Sequence, residues 1–347
     1  MSTLTGVRAA LTMIQPAPFN AEAPPAALTS EVTPTPLHYV RSNFALPSHD
    51  GSLTIGGAVG NAMTLTLGDL QAIPAVEQTV TLECAGNGRL GQTPLPAGEP
   101  WGRYAVSAAR WKGAPLSHVL RQAAPLASGI EVTFEGADHG RYADHQDIAF
   151  VRSLALEHAG DPSAGIVIAY EMNGEPLSSD HGAPFRLIVP GWYGMASVKW
   201  LSRISVRTDP YIGEFQTNHY MYHYSGQPSE PVTQMRVRAR ITEPAPRSSI
   251  PAGPHRVQGK AWSGTGPVTS VEVCLTGEGE WQPAALQPPR GPYQWQDWSF
   301  GWTATAGRHT LRARATDAAG HTQPAVPPWN RFGYGNNAIE VQYVDVH

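Results

Sequence analysis

From Met235 onward apolar and polar residues alternate in short runs, at residues 237–241, 256–262, 269–275, 293–303, 309–315 and 338–346, with turn residues between them and no helical periodicity. A period of two buries one face of each strand, and about seven such strands at this spacing close their apolar faces on one another as an immunoglobulin-like β-sandwich. Trp262, Trp281, Trp295, Trp298, Trp302 and Trp329 enrich this stretch in tryptophan, whose commoner place is a core. The 35 glycines and 32 prolines among 347 residues favour short strands and turns over long helices throughout.

The upstream part reads differently. Character changes near Ser229-Glu230-Pro231, and a chain of this length holds two cores more readily than one. We expect three segments: an extended N-terminal arm over residues 1–36, rich in Pro and Ala; a domain over 37–230; and the sandwich over 231–347. Within 37–230 the pattern predicts a strand over 37–41 that delivers Arg41 into a loop. It predicts a short helix capped by Thr66 and stopped at Pro74, and a helix over 111–122 with Leu116, Val119 and Leu120 on one face. Strands are expected over 130–134, 165–172, 185–189 and 198–206, a polar loop over 138–146, and a short helix beginning at Ser153. Mixed short helices and strands followed by an all-β segment make the fold class α+β.

The chemistry concentrates at Thr79-Val80-Thr81-Leu82-Glu83-Cys84-Ala85-Gly86-Asn87-Gly88-Arg89, an alternating strand that runs into a glycine-bordered turn. A thiolate at a strand end on such a loop is well placed to hold a soft metal, although a lone cysteine is more often a small core hydrophobe. Residues 86–91 also spell G-x-G-x-x-G after a strand, but the proline-rich residues 92–100 cannot form the helix that dinucleotide binding requires. No G-x-S-x-G elbow is present, and His139, His145, His219 and His223 lack metal-ligand spacing.

The Cys84-Ala85-Gly86-Asn87-Gly88-Arg89 run resembles the cysteine loop of the sulfite oxidase family of molybdenum enzymes. The resemblance recurs in order at Tyr39-Val40-Arg41, at Pro100-Trp101, and at Ala109-Arg110-Trp111-Lys112-Gly113. It continues at Phe134 to Asp138, at Ala169-Tyr170-Glu171-Met172-Asn173-Gly174, at Asp180-His181-Gly182 with Arg186, and at Ser197-Val198-Lys199-Trp200-Leu201. It implies a mixed α/β molybdopterin-binding domain followed by an immunoglobulin-like dimerisation domain, hence a homodimer. It implies that Cys84 is the protein ligand of a molybdenum-molybdopterin cofactor. Tyr39, Val40, Arg41, Ser42, Asn43, Asp138, His181, Arg186, Ser197, Val198 and Lys199 would surround the pterin. Arg41, Arg89, Trp101 and Tyr220 would select an oxyanion, with sulfite oxidised to sulfate by oxygen-atom transfer. Two departures stand out. The family shows Asn-His after the first arginine, where this chain has Ser42-Asn43. Eukaryotic sulfite oxidases carry Trp-Asn-x-Arg-Gly near the C-terminus, where this chain has Trp329-Asn330-Arg331-Phe332-Gly333. A less cationic pocket follows, with weaker sulfite binding or a different oxidisable substrate.

A formal charge of −4 with only 15% charged residues gives no footprint for nucleic acid or an anionic membrane. No apolar run reaches the roughly 20 residues that span a bilayer. The two cysteines, Cys84 and Cys274, fall in separate segments, so no disulfide framework is expected. Residues 1–10 show neither a signal-peptide core nor twin arginines, which makes a cytoplasmic location the expectation. There is no C-x-x-C-H and no stretch left for a haem module, so electrons are expected to leave to a separate acceptor such as a cytochrome. Two alternatives stay open: a reductase of nitrate or of an S- or N-oxide on the same cofactor, and a non-catalytic binding protein.

Overall fold

The computed structural model describes residues 8, 10–276 and 279–347. Residues 1–7, on which the expected location partly rests, lie outside the described residues. The described start of the chain is not an extended arm. It folds into a hairpin, β1 (Thr12–Pro16) and β2 (Phe19–Glu22), followed by single turns at Pro25–Thr29 and Thr35–Leu37. Pro16 ends a strand and Pro18 sits at the hairpin tip, the two places where proline costs a sheet least. The segment does lie along the rest of the protein: Ala23 N donates to Tyr104 O at 3.1 Å and Thr33 N to Ala108 O at 2.8 Å. The strand expected over 37–41 shrinks to one bridge, Ala21 to Val40, because Thr35–Leu37 coils instead.

Two sheets follow. In chain order their elements are β3 (Ser52–Gly57), β4 (Met63–Thr66), α1 (Leu67–Ala72), β5 (Val76–Glu83), β6 (Val106–Pro115) and α2 (Leu116–Ala123). Then come β7 (Glu131–Tyr142), β8 (His145–Ala155), α3 (Leu156–Gly160), β9 (Val167–Met172), β10 (Glu175–Pro176), β11 (Arg186–Ile188) and β12 (Leu201–Arg207). One sheet has the order β10-β9-β6-β5, with β11 also on β9; the other runs β4-β3-β12-β7-β8, with β12 parallel to β3. Thr66 caps α1 as the sequence predicts, accepting from Asp69 N at 3.3 Å while Asp69 Oδ2 accepts from Thr66 N at 2.8 Å.

Two expectations fail for the same reason. The helix expected over 111–122 begins only at Leu116, because residues 111–115 belong to β6, where Trp111 faces Gln78 on one side and Met172 on the other. The polar loop expected over 138–146 is instead the two arms of the β7–β8 hairpin, with Tyr142 opposite His145. In both cases strand pairing outweighs local propensity.

The C-terminal part is the expected sandwich. Its long strands are β13 (Arg238–Glu243), β14 (Gly253–Trp262), β15 (Val268–Cys274), β16 (Gln296–Ala304), β17 (Gly307–Asp317) and β18 (Val341–Val346). One sheet places β14 between β13 and β16, and the other places β17 between β15 and β18. Val257, Val273, Trp298, Leu311 and Val344 close its core. Trp262 and Trp295 do not join that core; they pack with the buried residues of the first two sheets. The two parts therefore share a buried boundary, and Cys84 lies close to it. Both cysteines are buried and free, and among the described residues no helix is long and apolar enough to cross a membrane.

Candidate active site

Cys84 follows the last residue of β5 and is held on both sides by backbone: its N–H donates to Ala105 O at 2.8 Å and its C=O accepts from Asn87 N at 2.9 Å. Gly88 then turns the chain at φ +85°, and a Cβ there would stand 3.0 Å from Arg238 Nη2. Glycine is thus needed twice, for the left-handed backbone and for the close approach of the second domain. The loop is anchored from behind. Glu83 is 2% exposed. Its carboxylate accepts from Arg238 Nη1 at 2.5 Å, Trp262 Nε1 at 2.9 Å and Asn87 Nδ2 at 2.8 Å. Asn336 Nδ2 adds a bond to Gly88 O at 2.7 Å. Burial pushes the Cys84 thiol up, while Arg41, the Gly86 backbone and Arg89 pull the other way.

In front of Cys84 lies a cavity. Residues 39–43, Asp138, His181, Arg186, Ser197, Lys199 and Tyr220 all line it with Cys84, so most of the residues singled out in the sequence come together. Arg41 donates to Ser42 O and, at 2.7 Å, to Asn43 Oδ1, and Tyr220 lines the same cavity. Burial alone would weaken the Arg41 charge, but Tyr220, Glu99 and Cys84 outweigh it and keep the guanidinium fully protonated. Burial pushes the Tyr220 hydroxyl up, so it remains a donor.

On the opposite wall Lys199 and Arg186 form no salt bridge among the described residues, although the Asp138 and Asp180 carboxylates that line the same cavity favour the Lys199 charge. Lys199 Nζ donates to Ser42 Oγ at 2.8 Å and to Asp180 O at 3.0 Å, 4.0 Å above the Trp200 ring. Arg186 donates only to carbonyls, His181 O at 3.1 Å and Ser197 O at 3.2 Å, and stacks over Trp111. Burial lowers Lys199, lowers Arg186 to about 10, and raises Asp138. Burial, then Arg186 and Lys199, hold His181 at about 3, and burial lowers His38 as well, so both rings are neutral at ordinary pH.

These residues fit the group that the resemblance implies. Arg186 Nε and His38 Nε2, both of cavity-lining residues, are buried without a hydrogen-bond partner among the described residues. A cationic donor set suits a phosphate-bearing tail, and a soft thiol stands where a metal would sit.

Three expected site residues lie elsewhere. Arg89 is 2% exposed and does not line the cavity; its guanidinium donates to Phe332 O at 2.8 Å and Glu99 O at 2.5 Å. Trp101 is fully buried in the apolar cluster that contains Cys84. Val198 is buried, and its C=O accepts from Leu187 N at 2.7 Å. All three support the wall from behind. Phe332 presents an aromatic face where the resemblance puts a cation, with its ring 4.8 Å from that of His219. Sequence reasoning missed His38, Glu99 and the Glu83–Arg238 pair. His38 alone carried a local signal, as the neighbour of Tyr39.

Comparison with known proteins agrees. An oxidoreductase molybdopterin binding domain matches residues 43–215 and a Mo-co oxidoreductase dimerisation domain matches 229–343. Mitochondrial sulfite oxidase of Homo sapiens is 37% identical over 349 residues, covering 92% of this chain and 63% of that protein. Sulfite oxidase of Gallus gallus is 35% identical, covering 91% and 74%. Nitrate reductase [NAD(P)H] of Hordeum vulgare is 34% identical, covering 92% and 40%. The crystal structure of the sulfane dehydrogenase SoxCD from Paracoccus pantotrophus superposes with a TM-score of 0.85 at 27% identity, covering 99% of this chain and 90% of that one. The fold and the site define a molybdopterin-dependent oxidoreductase. The chain belongs to the sulfite oxidase family, its cofactor is molybdenum-molybdopterin, and it spans 63% of the length of the human enzyme.

Proposed function

We propose that the protein oxidises sulfite to sulfate by oxygen-atom transfer and passes two electrons to a separate acceptor, such as a cytochrome. The observation that carries this reading is the charged Arg41 guanidinium, which lines the same cavity as the Tyr220 hydroxyl and Cys84. When bound, the cofactor supplies the oxygen atom and takes up the electron pair. The chain's part is to hold and to orient. Cys84 Sγ would be the protein ligand to the metal; burial raises its thiol, and Arg41, the Gly86 backbone and Arg89 offset only part of that rise. Arg186 and Lys199 hold the phosphate, and Tyr39, Val40, Ser42, Asp138, His181 and Ser197 enclose the pterin. Arg41 draws in the oxyanion, and Tyr220 donates a hydrogen bond to it. We assign the catalytic part to residues 37–230 and self-association as a homodimer to 231–347.

Molybdenum-replete protein should reduce ferricyanide with sulfite and should be inactive with nitrate and reduced viologen. The opposite pattern would replace this reading with a nitrate reductase. A protein that carries no molybdenum after maturation would be a binding protein. Light scattering on the full chain tests the dimer, and a monomer at micromolar concentration would refute it.

A further inference from the structure

An internal anion already sits on the cation that sulfite needs. Arg41 Nη2 lies 3.0 Å from Glu99 Oε1, with side chains 16% and 27% exposed, so the pair is half-open and not sealed in the core. Burial would raise the Glu99 carboxyl, yet Arg41, its own backbone N–H, Arg89 and His219 together hold it below the usual range. Those three side chains arrive from separate segments: the loop after β2, the turn after Cys84 and the stretch before Tyr220. Only the side chain of Glu99 is free to move, because its C=O is fixed by Arg89 Nη1 at 2.5 Å and Trp101 N at 2.8 Å. The neighbouring Phe332, against the His219 ring, adds no compensating charge.

We propose that Glu99 is the specificity-determining residue of this pocket: its carboxylate occupies Arg41 in the free enzyme, and an incoming oxyanion must displace it. A like charge a few ångströms from the substrate position penalises a dianion most and a singly charged or neutral substrate least. The pocket is thereby biased away from doubly charged sulfite and sulfate and towards substrates of lower charge. The proposal rests on the sulfite reading above only for its choice of test substrate.

The test compares molybdenum-replete wild type with Glu99→Gln and Glu99→Ala. Sulfate dissociation constants come from calorimetry, and KM values for sulfite come from ferricyanide reduction. Removing the charge should tighten sulfate by about tenfold and lower the sulfite KM in step. Damage to the fold would weaken binding, so a gain is not an artefact of instability. The alanine variant covers the case in which glutamine still bonds to Arg41. Unchanged or weaker sulfate binding in both variants overturns the role of Glu99, whatever the activity with sulfite. Tighter sulfate without any sulfite oxidation sustains the role of Glu99 and removes the sulfite reading instead.

Discussion

Arg238 and Arg186 are both buried guanidinium groups, 1% and 6% exposed, and the chain treats them in opposite ways. Arg238 meets Glu83 at 2.5 Å and stands 3.8 Å from Glu340, which in turn pairs with Arg240. Arg186 meets only carbonyl oxygens, and neither it nor the nearby Lys199 forms an ion pair among the described residues. Each of Arg186, Arg238 and Arg240 leaves its Nε without a partner, so the carboxylate is what separates them. An unpaired buried charge costs several kcal/mol and persists where something outside the chain completes it. The boundary between the two parts of the molecule is thus electrostatically finished, whereas the cavity wall keeps Arg186 without a carboxylate among the described residues and so suits an anionic cofactor.

Adjacent residues break this comparison most cleanly, because Glu83 belongs to the finished set and Cys84 to the unfinished one. Cys84→Ser should abolish turnover, by about a thousandfold or ~4 kcal/mol of barrier, with molybdenum content or geometry altered and the apoprotein's unfolding midpoint nearly unmoved. Steady-state rates and metal analysis check this, and full turnover would end the assignment. Glu83→Ala should strand Arg238 and cost about 3–5 kcal/mol, read from denaturant unfolding. Replacing both partners together, with Glu83→Leu and Arg238→Met, should recover much of the loss. A double variant as unstable as the single one would show that the pair is not what Glu83 contributes.

The sequence shows one of these sets and hides the other, for a physical reason. Cys84, Arg41, His181, Arg186 and Lys199 sit in short motifs whose order along the chain was readable, and the structure brings them to one cavity. The alternation from Val237 onward announced the sandwich, and the Thr66 cap announced α1. Glu83 and Arg238 are 155 residues apart, and Arg41 and Glu99 pair across 58, so neither partner marks the other locally. Residues 111–115 read as helix because Trp111 precedes a genuine apolar stripe; only the flanking β5 and β9 make them strand. Arg89 carries the motif's last letter yet faces backbone oxygens, because Phe332 and Glu99 come from segments that the motif does not include.

A smaller effect sharpens the contrast from the cavity side. Arg186→Met removes an unpaired cation, so the apoprotein should unfold at nearly the same denaturant concentration or a higher one. Retention of cofactor through gel filtration should fall by about tenfold, ~1.4 kcal/mol. A large loss of apoprotein stability would place Arg186 with Arg238 among the structural cations.

The least effect is one of pH, and its sign follows from the histidines. His181 is held at about 3 by burial and then by Arg186 and Lys199, and His38 is also lowered, chiefly by burial. In the unfolded chain each takes up a proton near its ordinary value of about 6.5. Between those limits the unfolded state binds more protons, so stability is present above about pH 6.5 and is lost as pH falls towards 3. Asp138, raised by burial, and His139, raised by its bond to Asp147 but solvent-exposed and screened, act in the other direction and offset part of the loss from the two histidines. Denaturant unfolding of the apoprotein should therefore show falling stability from pH 7 to pH 5, and His181→Gln should flatten the slope. Cofactor phosphate beside Arg186 and Lys199 would offset the cations that depress His181, raising its pKa and flattening the slope of the loaded protein too. Equal slopes with and without cofactor would mean that no negative charge settles near His181, and the unpaired wall would need another explanation.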